Sequence, residues 1–471
     1  MSADRPLDPA LAAALDYLPR WLGYQVTSSG QPGCAVAIAC DGRVVFERAF
    51  GAANLATDEA LTPRHRFRVA SHSKTFTAAG ILRLREMDAL RLDDPVGEHV
   101  DGLHRDVAAV TIAQLLSHSG GLVRDGADNG QFLDRRPFLD EAELRAGLKA
   151  PPILPAGTEF KYSNHGFGLL GLVIEAITGE PYAAWIQREV VRAAGLRETT
   201  PDYDPSIRGR LAAGHSLEQP LGRRMIIPGR NSTRAMAAAT GFVSTARDLA
   251  MFFGQLDPAA PRSFLSVASR REMTRHQWHD RHSSLDRHYG LGLIAGRLGA
   301  LDWFGHSGSF QGTLSRTAVV PALGMTVSVL ANAIDGPSQA WTDGIIQVVR
   351  TLRLHGAPTR RSAGWTGRWW TLWNAVDLVP ARDKVLVATP ALFNPFLDAA
   401  EIAITGANKG RIERASGFVA VGEPARLVRG AGGAPGALLL GGARLVKTAA
   451  MRRELRARYR PARGAARPVV D

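Results

Sequence analysis

Residues Arg68–Leu84 read RVASHSKTFTAAGILRL. The run that follows Ser71 contains no proline and predicts a helix beginning near that serine. Two serines, Ser71 and Ser73, stand ahead of Lys74. Residues three apart on a helix share a face, whereas neighbours point about 100° away from each other, so Ser71 meets Lys74 and Ser73 does not. A serine hydroxyl is a weak nucleophile until a base takes its proton, and a lysine at its ordinary pKa of about 10.4 cannot do so at neutral pH. Burial lowers an amine's pKa. A buried helix start with Ser71 and Lys74 on one face therefore reads as an activated nucleophile, close to backbone N–H groups and the positive end of a helix dipole. Alone, such a pattern occurs by chance in many proteins, and an N-cap serine followed by a surface lysine is the better reading of it.

Three further stretches change that balance. In PAGTEFKYSNHGFGLLGLVIEAITG, Pro155–Gly179, Tyr162 and Asn164 stand two apart just before an apolar helix expected over Asn164–Thr178 and stopped by Gly179. Alternate residues of an extended segment project to the same side, so a phenol and an amide face one pocket unless Asn164 is only a helix cap. In WFGHSGSFQG, Trp303–Gly312, His306-Ser307-Gly308 precedes a sheet-like run, and its glycines permit close backbone approach, or simply form a turn. In TIAQLLSHSGGL, Thr111–Leu122, a short helix ends in two glycines, and His118 is read as closing the fold.

Taken in this order, Ser71-His72-Ser73-Lys74, Tyr162-Ser163-Asn164 and His306-Ser307-Gly308 resemble the motifs of the serine β-lactamase and penicillin-binding-protein superfamily. The class C-like branch of esterases, D-aminopeptidases and related hydrolases is the most similar. The phrases LLSHSGGL, ATGFVSTARDLAMF and YGLGL look like the same branch, and the likeness runs from about Pro32 to Gly356. The resemblance implies a metal-independent serine hydrolase that is acylated at Ser71, with Lys74 and Tyr162 moving the proton and either serving as base. It implies that Asn164 orients Lys74 and the substrate, and that the oxyanion lies between the backbone N–H groups of Ser71 and Ser309. His306, Ser307 and Gly308 would line the substrate site. Class C β-lactamases carry lysine where this chain has His306, which favours small esters, amides or short peptides over β-lactams as substrates. β-Lactamase or D,D-peptidase activity remains an alternative, as does a non-catalytic binding protein on the same fold. No cofactor is implied, and the sequence has no H-E-x-x-H or C-x-x-C metal pattern.

Along the chain, Leu11, Leu15, Leu18 and Leu22 after Asp8-Pro9 mark an amphipathic helix, followed by strands at Cys34–Ala39 and Arg43–Phe50. Strands return near 290–294, 312–320 and 325–331, and a helix is expected over 338–352. This order predicts an α+β fold: an antiparallel sheet assembled from both ends of a domain, flanked by helices, with a large helical insertion. The expected divisions are a hydrolase domain over 1–356, a small β-rich, lipocalin-like barrel domain over 357–448, and a basic, frayed tail over 449–471. Trp365, Trp369, Trp370 and Trp373 crowd the start of the barrel region and read as buried packing.

A formal charge of +13 invites a nucleic-acid reading, but seven arginines against Glu454 and Asp471 fall after residue 449, and the remainder is diffuse. No nucleic-acid partner is expected. Cys34 and Cys40 on one strand would be about 20 Å apart, beyond disulfide reach. With no secretory leader visible and no membrane-length apolar run, the chain is expected to be cytoplasmic.

Overall fold

A computed structural model describes residues 6–219, 221–430 and 433–460. Two compact units divide the chain: Gln31–Thr342 is one, and the segments before Gln31 and after Thr342 form the other. This division departs from the expected 1–356 boundary at both ends, because the first helix and most of the Ser338–His355 helix group with the C-terminal segment.

In the larger unit, Gly33–Cys40 and Arg43–Asn54 form a hairpin whose turn, Asp41-Gly42, has positive φ at both positions, as the strand twist requires. Gly33–Cys40 also pairs antiparallel with Met325–Ala331, so the two ends of the unit meet at the centre of a nine-stranded sheet. From that centre the order continues through Thr313–Val320, Leu301–Phe310, Ile294–Leu298, Arg287–Tyr289 and the edge strand Trp278–His279. The Ala246–Gln255 helix, capped by the Thr245 side chain, packs on the central strands. The long segment between Arg68 and Trp278 alternates helices with loops and three short strand pieces, matching its reading as helical and loop-rich.

Two local readings are corrected. His306-Ser307-Gly308 lies inside the strand Leu301–Phe310 and not in a turn before one. Residues 290–293 form a bend, with Gly292 at φ 67°, between strands that end at Tyr289 and resume at Ile294. A Cβ on Gly292 would sit 2.5 Å from Ala78 Cβ, so glycine there lets the bend press on the helix bearing Ser71 and Lys74.

In the second unit, Pro9–Ser28 is a helix started by Asp8, whose carboxylate accepts from Ala10 N at 3.1 Å. Eight antiparallel strands from Gly367 to Val446 close into a barrel through Trp370 and Val446. Trp365 and Trp369 are buried in its core, while Trp373 is 90% exposed at the Thr371–Asn374 turn, against the reading of all four tryptophans as packing. The basic end is also corrected: Thr448–Arg458 is a helix with Met451 buried, and residues 461–471 lie outside the described residues. Cys34 and Cys40 are buried and not joined to each other. Among the described residues no single helix is long and apolar enough to cross a membrane.

Candidate active site

The His72–Glu86 helix begins where the strand pair Phe67–Arg68 and Val243–Ser244 ends. Ala70, just before Ser71, has φ 46°, a left-handed conformation that costs a non-glycine residue about 1–2 kcal/mol. Ser73 holds that turn. Its Oγ donates to Ala70 O at 2.5 Å and accepts from Phe242 N at 3.0 Å, and the side chain is fully buried. His72 ties the same turn to the sheet, with Nδ1 3.0 Å from Val69 O and Nε2 3.0 Å from Thr317 Oγ1, and burial pushes its pKa down to about 3. Both neighbours of the turn are thus committed to structure, and Ser71 is left half-buried with its Oγ between two groups.

Those groups are Tyr162, whose hydroxyl donates to Ser71 Oγ at 2.9 Å, and Lys74, whose Nζ lies 3.2 Å from it. Lys74 is fully buried and also donates to Asn164 Oδ1 at 2.7 Å and Ala239 O at 2.8 Å. Burial pushes its pKa well below the usual lysine value, with Arg124 pressing the same way and Asp125 opposing. Tyr162 moves in the opposite direction, because burial disfavours the phenolate. Lys74 Nζ also lies 4.8 Å from the centre of the Tyr162 ring.

Asn164 is positioned by its own helix start. Ser163 caps the Asn164–Thr178 helix, its Oγ accepting from Gly166 N at 2.9 Å and donating to Val123 O at 2.7 Å. The Asn164 amide is oriented by Asp125, which accepts from Nδ2 at 2.5 Å and pairs with Arg124. His118 accepts from Ser163 N at 3.1 Å, and its ring lies tilted against Tyr162 with centroids 4.1 Å apart. Its reading as a fold-closing residue therefore extends to aligning the Tyr162 segment.

His306 is 1% exposed. Its Nδ1 is 2.7 Å from Ser307 O, and its Nε2 is 3.1 Å from the Tyr289 hydroxyl. Burial, then His72 and Lys74, push its pKa well down, so the ring is neutral at pH 7. Gly308 faces the helix start so closely that a Cβ would lie 2.0 Å from Val69 O. Ser307 is half-buried and Ser309 exposed along the same strand. The structure thus brings Ser71, Lys74, Tyr162 and Asn164 into one hydrogen-bonded group and sets the strand of His306, Ser307, Gly308 and Ser309 against the same helix start. Sequence reasoning did not find Asp125, the Ala239 carbonyl or Tyr289. The first two act through pairings 39 and 165 residues distant that no local pattern signals.

A family model described as Beta-lactamase matches residues 18–348. Penicillin-binding protein 4 of Amycolatopsis lactamdurans is 27% identical over 317 residues, 64% of this chain and 81% of that protein. Protein flp of Staphylococcus aureus strain MW2 is 27% identical over 173 residues, 36% of this chain and only 34% of its own length. Among solved structures, the octameric penicillin-binding protein homologue from Pyrococcus abyssi superposes with a TM-score of 0.65 at 21% identity, covering 92% of this chain and 100% of that one. A D-stereospecific amidohydrolase from Streptomyces sp. superposes with a TM-score of 0.57 at 25% identity, covering 71% and 97%.

Proposed function

The chain belongs to the beta-lactamase family, and from that premise we propose that it is a serine hydrolase acylated at Ser71, acting without a metal on small amides, short peptides or esters. The observation that carries this reading is the buried Lys74 amine beside Ser71 Oγ. Two of its neighbours, Asn164 Oδ1 and Ala239 O, can only accept. A neutral amine satisfies both with its two hydrogens and turns its lone pair toward the Ser71 hydroxyl. Tyr162 keeps its own proton and donates to Ser71 Oγ. The opposite pKa directions of the two groups support Lys74 as base and Tyr162 as the acid that reaches the leaving group.

In this reading Lys74 takes the Ser71 proton as Oγ attacks the substrate carbonyl carbon. The developing oxyanion lies between the Ser71 and Ser309 N–H groups, where one donor contributes about 2.7–4 kcal/mol. Tyr162 protonates the departing nitrogen or oxygen and is reprotonated from Lys74. Water repeats the sequence in reverse: it loses a proton to the same pair, attacks the acyl carbon and returns Ser71 to its hydroxyl form. Similarity to an enzyme described as a D-stereospecific amidohydrolase supports amides as substrates.

Similarity to a protein named as penicillin-binding supports a second reading, β-lactam binding or hydrolysis. A neutral, buried His306 offers little to a substrate carboxylate, which weighs against it. A fluorophosphonate probe and a panel of chromogenic esters and D- and L-amino acid amides test the first reading. It predicts stoichiometric labelling and turnover, and it fails if the folded protein takes no label and turns over none of the panel. A gel-stable adduct with fluorescent penicillin, or nitrocefin turnover faster than any amide, would promote the second.

A further inference from the structure

At the free edge of the nine-stranded sheet, Trp278–His279 pairs with Arg287–Tyr289 in a short ribbon, with His279 directly opposite His288. Successive side chains of a strand point to opposite faces. Buried Tyr289 and its partner Trp278 thus take one face of the ribbon, and the two histidines take the other. Asp286 enters between them, its Oδ1 3.3 Å from His288 Nε2 and 3.8 Å from His279 Nε2. The ligand atoms of all three lie within 4.8 Å of one another. A third imidazole, His276, stacks on His288 at 4.3 Å and 13°. Nitrogen and oxygen ligands held about 2.0–2.1 Å from a tetrahedral ion are about 3.4 Å apart. The two Asp286 distances already bracket that spacing, and the two imidazoles reach it by a small rotamer change.

We propose that His279, Asp286 and His288 form a site for a divalent transition-metal ion of the zinc type, with water or His276 completing the coordination. Two imidazoles and a carboxylate are a donor set suited to such ions, and a hard cation such as Mg2+ or Ca2+ is disfavoured by the nitrogen ligands. The ion joins the two strands of the ribbon, adding to Gln277 N to Tyr289 O at 2.9 Å, Asp280 N to Arg287 O at 3.0 Å and the Arg287–Asp280 ion pair at 2.9 Å. Its effect reaches the candidate site through one residue. Tyr289, next to His288 in sequence, lies against His118 and is hydrogen-bonded to His306. The site is structural and stands apart from the Ser71 chemistry, so it does not depend on the proposed reaction.

Calorimetric titration of the full-length, untagged, EDTA-stripped protein with Zn2+ tests the inference, with Co2+ absorption reporting coordination. The expected result is one bound equivalent in the wild type and a rise in melting temperature on adding Zn2+. In H279A/H288A the affinity falls at least about tenfold and the thermal shift vanishes; loss of a supporting group alone commonly gives 10–100-fold. If the double variant folds poorly, the near-isosteric D286N carries the same comparison. The H276A variant loses less. Absence of Zn2+ binding by the wild type, or unchanged affinity and stoichiometry in the variants, overturns the site.

Discussion

The start of the His72–Glu86 helix and the interior of the C-terminal barrel are equally buried and built from opposite materials. His72, Ser73, Lys74, Thr75 and Thr77 are all polar and all out of water, each with hydrogen-bond partners. The barrel core is Trp365, Trp369, Leu378, Val385, Ile402 and Leu438. The contrast is sharpest between two lysines. Lys74 Nζ has three oxygen partners, whereas Lys447 Nζ lies 3.7 Å above the Trp369 ring. Burial lowers the pKa of both, but among the described hydrogen bonds of the two amines only that of Lys74 reaches a serine hydroxyl. On the proposed mechanism, desolvation alone does not make a base; the acceptors that orient the amine do.

The largest expected effects separate the two regions. Ser71→Ala should lower kcat by about 10^4-fold or more and leave the melting temperature nearly unchanged. Trp369→Ala should do the reverse, destabilising by about 3–5 kcal/mol while kcat, measured well below the lowered transition, persists. If both variants lost activity and stability together, the division between a reactive and a stabilising interior would fail.

Ser73→Ala sharpens the contrast inside the site itself. It strands Phe242 N and releases the Ala70 turn, so about 1–3 kcal/mol of stability should go, with an adduct still forming at Ser71. Urea unfolding and active-site titration on one preparation measure both.

Lys74 sets the pH dependence. Its folded pKa is depressed, so between that value and about 10.4 the unfolded chain binds a proton that the folded chain does not, and stability from this group rises with pH. Activity should rise through the same depressed pKa, since the base works neutral. Arg124 is 61% exposed and helps hold that pKa down, so Arg124→Gln should move the rising limb of the kcat profile to higher pH, a shift that shrinks in high salt. A shift to lower pH would contradict Lys74 as the titrating base. The smallest effect belongs to Trp373→Ser, within about 0.5 kcal/mol, because that ring is exposed.

The helices at Pro9, Ser71 and Asn164 were legible because caps and apolar spacing are local signals. The Asn164–Thr178 helix falls where it was expected, down to Gly179 at φ 67°. Serine–lysine spacing on a helix and Tyr162–Asn164 spacing before one were legible for the same reason. The strand through His306 was not. Gly305 and Gly308 weaken its β signal, yet both are demanded by backbone closer than a Cβ allows, Thr317 O and Val69 O. Such contacts are tertiary and leave no periodicity. The terminal helix was missed although Ala, Met, Arg, Glu and Leu in Thr448–Arg458 favour it, because the Pro and Gly beyond it drew the reading toward a frayed end.

The central claim is that Ser71, and not Ser73, carries the acyl group. Trypsin cuts after Arg68 and Lys74, so both serines travel in one peptide, VASHSK. Rapid quenching with a slowly deacylating ester, followed by fragmentation of that peptide, distinguishes them directly. The acyl mass is expected on fragments containing Ser71 and not on those containing only Ser73-Lys74. An adduct on Ser73, or turnover with no adduct in the peptide at all, would contradict it.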